Sequence, residues 1–164
     1  MPISLNKVNA EAYAKVAAAL EQNGKAAVEH ATGTGKSCIA WQLIADHPQA
    51  SFIWLVYGAA RLTLRREDVR RYGVLPENLI FCDCGVLAEA SAEEWVRLAS
   101  RKPDYLIFDC YHEVTAACWA KSAQRLLRLC PEAKLLGLTV PSSTDQKCQA
   151  AAELFEGTVV SRMT

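Results

Sequence analysis

The stretch Ala31-Thr32-Gly33-Thr34-Gly35-Lys36-Ser37 sets two glycines, a lysine and a hydroxyl at a spacing suited to holding phosphate. Glycine lets the backbone bend so that successive N–H groups face phosphate oxygens, and a helix that follows contributes its positive N-terminal end. In such a loop Thr32, Gly33, Thr34 and Gly35 form the cradle. Lys36 bridges the outer phosphates, and the Ser37 hydroxyl ligates magnesium. The full G-x-x-x-x-G-K-[ST] pattern carries glycine where this chain has His30.

A loop of this kind needs a strand before it and a helix after it. Residues 25–30 form a short, mainly apolar run that predicts a buried strand, and Ile39, Ala40, Leu43 and Ile44 recur at helical spacing. Further upstream, Tyr13, Val16, Ala17 and Leu20 predict a helix with Asn9 as its N-cap and Gly24 as its stop. Residues 51–57 are continuously apolar, as a strand covered on both faces requires.

Residues 59–72 predict a helix carrying Arg61, Arg65, Arg66, Arg70 and Arg71, with the pairs 61/65 and 66/70 each one turn apart. Two readings are open: a cationic face for a nucleic-acid backbone, or a solvated face offset by Glu67 and Asp68. Residues 79–82 predict another strand. Ser91 and Glu94 form a capping box, ahead of a helix whose apolar side is Trp95, Leu98 and Ala99.

Residues 105–108 run as an apolar strand into Asp109. A single long amphipathic helix is expected next, with Trp119, Ala123, Leu126, Leu127 and Cys130 on one face and Pro131 as its end. Residues 133–140 predict a strand, Ser143 with Gln146 caps a helix reaching Phe155, and 158–160 predict a last short strand. Strands alternating with helices predict a three-layer α/β fold with a mostly parallel sheet.

At 164 residues one domain is expected, able to bury about two-thirds of its unfolded-chain surface. Eighteen basic and eighteen acidic residues balance, so net charge favours no partner class. No apolar run has the length of a membrane span and no signal-peptide pattern opens the chain, so a soluble cytoplasmic protein with no membrane partner is expected. Seven cysteines without a C-x-x-C pair argue against a disulfide framework, and Cys82-Asp83-Cys84 lacks a second pair at finger-like spacing for zinc.

Together these stretches resemble the first RecA-like domain of superfamily 2 helicases, of the DEAD/DEAH and restriction-type translocase kind. Residues 31–37 are similar to motif I in its A-T-G-T-G-K-S form. Asp109-Cys110-Tyr111-His112 stands where that family has Asp-Glu-x-His, and Leu138-Thr139-Val140-Pro141 stands where it has Ser/Thr-Ala-Thr. Residues 153–157 and 161–164 resemble the stretch that closes the domain, and Asn9 matches an upstream adenine-reading position.

The resemblance implies a RecA-like P-loop NTPase domain over 1–164, with ATP and Mg2+ as cofactors and Ser37 and Asp109 as the magnesium residues. It implies Lys36, Asp109, the position of Cys110, and His112 as the catalytic set, with Thr139 coupling nucleotide to nucleic acid. Partners would be DNA or RNA, contacted through the full-length protein with Arg61 and Arg65 as candidates, and a second RecA-like domain in cis or trans. Two such domains close on one nucleotide, so unwinding by this domain alone is not implied.

Three departures bear on activity. Cys110 replaces the glutamate that activates water, and a thiol with an ordinary pKa of about 8.5 is a poor general base; losing that base costs about 10² to 10⁴ in rate. Glu113, three residues on, is an alternative base. Val140-Pro141 removes one motif III hydroxyl, and Val56-Tyr57-Gly58 replaces a proline-containing turn. The expected function is therefore the nucleotide-binding domain of an ATP-dependent DNA helicase or translocase. The alternatives are an inactive P-loop binding or regulatory module and a small P-loop phosphotransferase.

Overall fold

Strands that lack polar alternation have to be covered on both faces, and the apolar runs of this chain are covered in that way. In the computed structural model, which describes residues 2–73, 76–141 and 147–164, six strands form one sheet. They are β1 (Lys25–His30), β2 (Phe52–Val56), β3 (Leu79–Asp83), β4 (Tyr105–Asp109), β5 (Lys134–Thr139) and β6 (Val159–Met163). All neighbours pair in parallel, in the order β3-β2-β4-β5-β1-β6. Strand β5 is thus inserted between β1, which carries the loop, and β4, which carries Asp109.

One face of the sheet is covered by α1 (Lys7–Asn23), α2 (Lys36–Asp46) and α3 (Ala59–Tyr72). Val16, Leu20, Ile39, Trp41 and Leu43 pack there against Val28, Phe52, Trp54, Val56 and Ile107. The opposite face takes α4 (Cys84–Ala88), α5 (Ala92–Ser100), α6 (Ala116–Lys121), α7 (Ala123–Leu129) and α8 (Gln149–Phe155). Trp95, Trp119, Leu126 and Phe155 pack there against Ile53, Leu55, Leu106 and Phe108. Alternate residues of β2 enter opposite cores, the period-two signature of a strand between two helical layers. Each fully buried side chain of this size contributes about 1.5–3 kcal/mol of transfer free energy.

Several local readings are corrected. The N-cap of α1 is Asn6, whose side chain accepts from Asn9 N at 2.8 Å; Asn9 lies inside the first turn and is only 2% exposed. The long helix after Asp109 is two helices, α6 and α7. Ser122, fully buried between them, has φ −116° and ψ −82°, and its hydroxyl donates to the Cys118 carbonyl at 2.6 Å. A serine that bonds back onto the preceding turn competes with the helical ladder and bends it. The short helix α4 was not legible in the sequence; Asp83 caps it by accepting from Gly85 N and Val86 N. The Ser143 and Gln146 cap lies outside the described residues, and α8 is described from Gln149.

The capping box at Ser91 and Glu94 is present in full, and Gly24 ends α1 in the left-handed conformation at φ 68°. Gly137, in the middle of β5, has a steric reason that spacing does not reveal. A Cβ there would lie 2.9 Å from the rings of both Phe155 and Tyr111, which stack with centroids 4.7 Å apart. Among the described residues, no helix is long and apolar enough to cross a membrane.

Candidate functional site

The loop leaves the C-terminal end of β1 and turns directly into α2. Its start is pinned by Ala31 N donating to Met163 O of β6 at 2.8 Å, and its turn is closed by the Thr34 hydroxyl donating to Ala31 O at 2.7 Å. Gly33 and Gly35 have φ of 83° and 78°, the left-handed region that only glycine enters without strain. From α1, Asn9 Nδ2 donates to Thr34 O at 2.8 Å and lies where a Cβ on Gly35 would meet it at 3.1 Å. Asn9 therefore sets the shape of the loop backbone, a role that its place in the sequence does not reveal.

Lys36 opens α2, with its Nζ 3.4 Å from Ala31 O, and Ser37 follows on the first helical turn. Thr32 and Gly33 are exposed at the tip. The backbone is thus arranged to offer N–H groups and a helix N-terminus to an anion. His30, at the place where the motif carries glycine, is fully buried, with Nε2 2.8 Å from Ser161 Oγ and Nδ1 without a hydrogen-bond partner among the described residues. Burial first, and the Lys36 charge second, lower its pKa.

Asp109 ends β4 two strands from the loop, a lateral separation of about 10 Å at ordinary strand spacing. Its Oδ2 accepts from Arg65 Nε at 2.7 Å and from Trp54 Nε1 at 3.3 Å. Arg65 is also held by Asp68, Nη1 to Oδ2 at 2.7 Å, and Asp68 accepts from Trp41 Nε1 at 3.3 Å. The guanidinium lies 5.4 Å from the Trp54 ring centroid, and its side chain is 15% exposed. Trp41, Asp68, Arg65, Asp109 and Trp54 thus form one continuous chain from α2 through α3 to β4 and β2.

Arg61, one turn before Arg65, grips Glu113 with both terminal nitrogens, Nη2 to Oε1 at 2.7 Å. The bond to Arg61 holds the Glu113 carboxyl below its ordinary pKa and keeps the guanidinium charged. Arg61 and Arg65 therefore turn onto Glu113 and Asp109, carboxylates that neither of the two open readings of this helix named as their partners, while Arg65 also pairs with Asp68 as the solvated-face reading had it. Arg66, Arg70 and Arg71 are the exposed arginines of α3. The spacing of the arginines showed that two lay on one side; it did not show which side faced the protein.

Cys110 is buried in a left-handed backbone conformation at φ 55°, with its N–H donating to Leu138 O at 2.8 Å. Burial, then the neighbouring Asp109 carboxylate, pushes its thiol up to about 11. At neutral pH it is a protonated thiol and cannot take a proton from water. Glu113, as the alternative base, is committed to Arg61. On the other side of Cys110, His112 Nδ1 lies 2.9 Å from Thr139 Oγ1, so the second and third motif positions meet.

No family model matches the sequence, and no curated protein matches it. Solved structures do. The fold is similar to the Sulfolobus solfataricus SWI2/SNF2 ATPase core in complex with dsDNA, with a TM-score of 0.67 and 11% identity over 98% of this chain and 44% of that one. It is also similar to domain III of the Thermotoga maritima replication initiation protein DnaA, with a TM-score of 0.58 and 12% identity over 98% of this chain and 64% of that one. The six-stranded parallel sheet with helices on both faces is the three-layer α/β fold that these two structures share. The chain spans less than two-thirds of either neighbour's length, and at this identity the likeness concerns fold alone.

Magnesium was expected between Ser37 and Asp109, and the residues around Asp109 do not suit it as they stand. A divalent cation wants hard oxygen ligands with charge to spare, whereas the Asp109 charge is met by Arg65, that of Glu113 by Arg61, and Cys110 offers a protonated thiol. Among the described residues, no group of three or more His, Cys, Asp or Glu is gathered as a metal site. A cavity of about 820 Å³ opens at the opposite pole beside Ala50, Tyr105 and Lys134, where the strands begin. Its size is not accompanied by a phosphate-type donor array, so the loop remains the better candidate site.

Proposed function

We propose that this domain is the nucleotide-binding unit of an ATP-dependent DNA helicase or translocase, taking the ATP phosphates on residues 31–37. The observation that carries the reading is the shaped loop between β1 and α2, with Asn9 holding the Thr34 carbonyl and Lys36 Nζ 3.4 Å from the Ala31 carbonyl oxygen. The fold likeness to an ATPase core supports it. Coupling to nucleic acid would run through His112 and Thr139, and a second RecA-like domain, in cis or trans, would complete the nucleotide site. A nucleic-acid backbone would meet Arg66 and Arg70 rather than the inward-facing Arg61 and Arg65.

Calorimetry with millimolar ATP tests the reading. Wild type is expected to bind, and Lys36→Ala to lose at least about tenfold in affinity, the share of one charge-assisted contact. Absence of binding by the wild type overturns the proposal. For nucleic acid, affinity for single strands should fall steeply with salt and drop on Arg66→Glu.

A second reading, a P-loop module that binds nucleotide without hydrolysing it, is favoured by one observation. Both candidate bases are disabled, Cys110 by its protonated thiol and Glu113 by Arg61. Joining the domain to a second RecA-like domain and finding bound but unhydrolysed ATP supports this reading; turnover removes it.

A further inference from the structure

We infer that Arg65 stands in the place of a divalent cation at Asp109, so that the site takes its polyphosphate metal-free. The inference rests on the nucleotide reading above and goes beyond it, because magnesium is the expected companion of ATP at a loop of this kind. What a metal does in such a site is to cancel carboxylate charge and present positive charge to phosphate oxygens. Here the first task is already performed from within the chain. The Asp109 carboxylate bonds Arg65 Nε at 2.7 Å and Trp54 Nε1 at 3.3 Å.

The guanidinium is not a loose surface side chain that drifted onto a vacant carboxylate. It is gripped from the other side by Asp68, itself held by Trp41 Nε1, and it lies against the Trp54 ring. Trp41 and Trp54 are both fully buried and pack with centroids 4.8 Å apart, so the frame around Arg65 belongs to the hydrophobic core. A cation at Asp109 would meet a carboxylate whose Oδ2 is already bonded by Arg65 and Trp54 and whose charge the guanidinium offsets. Magnesium also sheds its water reluctantly, and a hydroxyl from Ser37 is little compensation.

Glu113, the other carboxylate within reach, is bound by Arg61 through both oxygens. Among the described residues that leaves Lys36, whose Nζ lies 3.4 Å from the Ala31 carbonyl oxygen, as the cation at the loop for phosphate. Arg65 then acts as a positioning residue: it neutralises Asp109, which would otherwise repel the anion, and needs no metal for that purpose.

Two measurements on the whole chain test this. In the first, ATP binding is measured by calorimetry in magnesium and in EDTA. Wild type should bind with affinities that agree within about threefold, while Arg65→Gln, which frees Asp109, should bind about tenfold or more tighter with magnesium than without, the usual scale of a metal-site partner. Wild-type affinity that falls about tenfold or more in EDTA overturns the inference.

In the second, Mn2+ alone is titrated without nucleotide and followed by electron paramagnetic resonance. Wild type should show no site at millimolar metal. Arg65→Gln should gain one that Arg65→Gln with Asp109→Asn loses. A wild-type Mn2+ site removed by Asp109→Asn overturns the exclusion. If ATP binds in neither buffer, the nucleotide reading and the metal-free ligand fall together, and the Mn2+ titration still decides whether Arg65 excludes the cation. If Arg65→Gln does not fold, the two wild-type measurements decide alone.

Discussion

His112 Nδ1 and Thr139 Oγ1 are 2.9 Å apart, joining the segment after β4 to the C-terminal end of β5. Thr139 is buried, so removing its hydroxyl costs an interior hydrogen bond to His112 Nδ1. Thr139→Val should therefore lower stability by about 1–3 kcal/mol in urea unfolding while ATP affinity changes little. A stability loss below that range, or loss of ATP binding with stability kept, contradicts this division of roles.

Cys110→Glu restores the residue type of the resembling family but not its surroundings. The new carboxylate would sit buried beside Asp109 in a left-handed backbone, while Arg65 and Arg61 stay occupied. The variant should be less stable than wild type by more than about 1 kcal/mol and should still show no phosphate release. Turnover above background in that variant alone would mean that the cysteine is the only lesion.

His30 gives stability a pH dependence with a definite sign. Its folded-state pKa lies below its ordinary value near 6.5 because the ring is buried. Between those two values the unfolded chain binds the extra proton, so stability is full above about pH 6.5 and falls as pH drops below it. Thermal midpoints measured from pH 8 to pH 5 should decline for wild type and decline less for His30→Gln. Parallel profiles would exclude His30 as the source.

Gly137→Ala tests the tight packing of β5. The added methyl would meet Phe155 and Tyr111 at 2.9 Å, an overpacking that costs about 1–3 kcal/mol. Far-ultraviolet dichroism should be unchanged while the denaturation midpoint falls. An unchanged midpoint would show that the Phe155 ring moves aside freely.

The strands were legible because parallel strands buried on both faces leave unbroken apolar runs, as in β2 and β4. The loop was legible because its geometry demands particular residue types. The partners of Arg61 and Arg65 were not, since the helical period places them on one side without saying which side faces inward. The break at Ser122 was hidden for a related reason: Trp119, Ala123 and Leu126 keep an apolar period across it, and only the hydroxyl that bonds Cys118 O interrupts the ladder. Asn9 looked like a cap because asparagine favours caps, but Asn6 three residues earlier occupies that position.

The bond from Asn9 to the Thr34 carbonyl means that the seven-residue motif is not portable. Grafted into another protein with only its own strand and helix, it would arrive without the amide that fixes its curvature. The shape of the loop is therefore tied to the N-terminal helix: an event that moved α1 away from α2 would remove the amide that holds the Thr34 carbonyl without touching a residue of the loop.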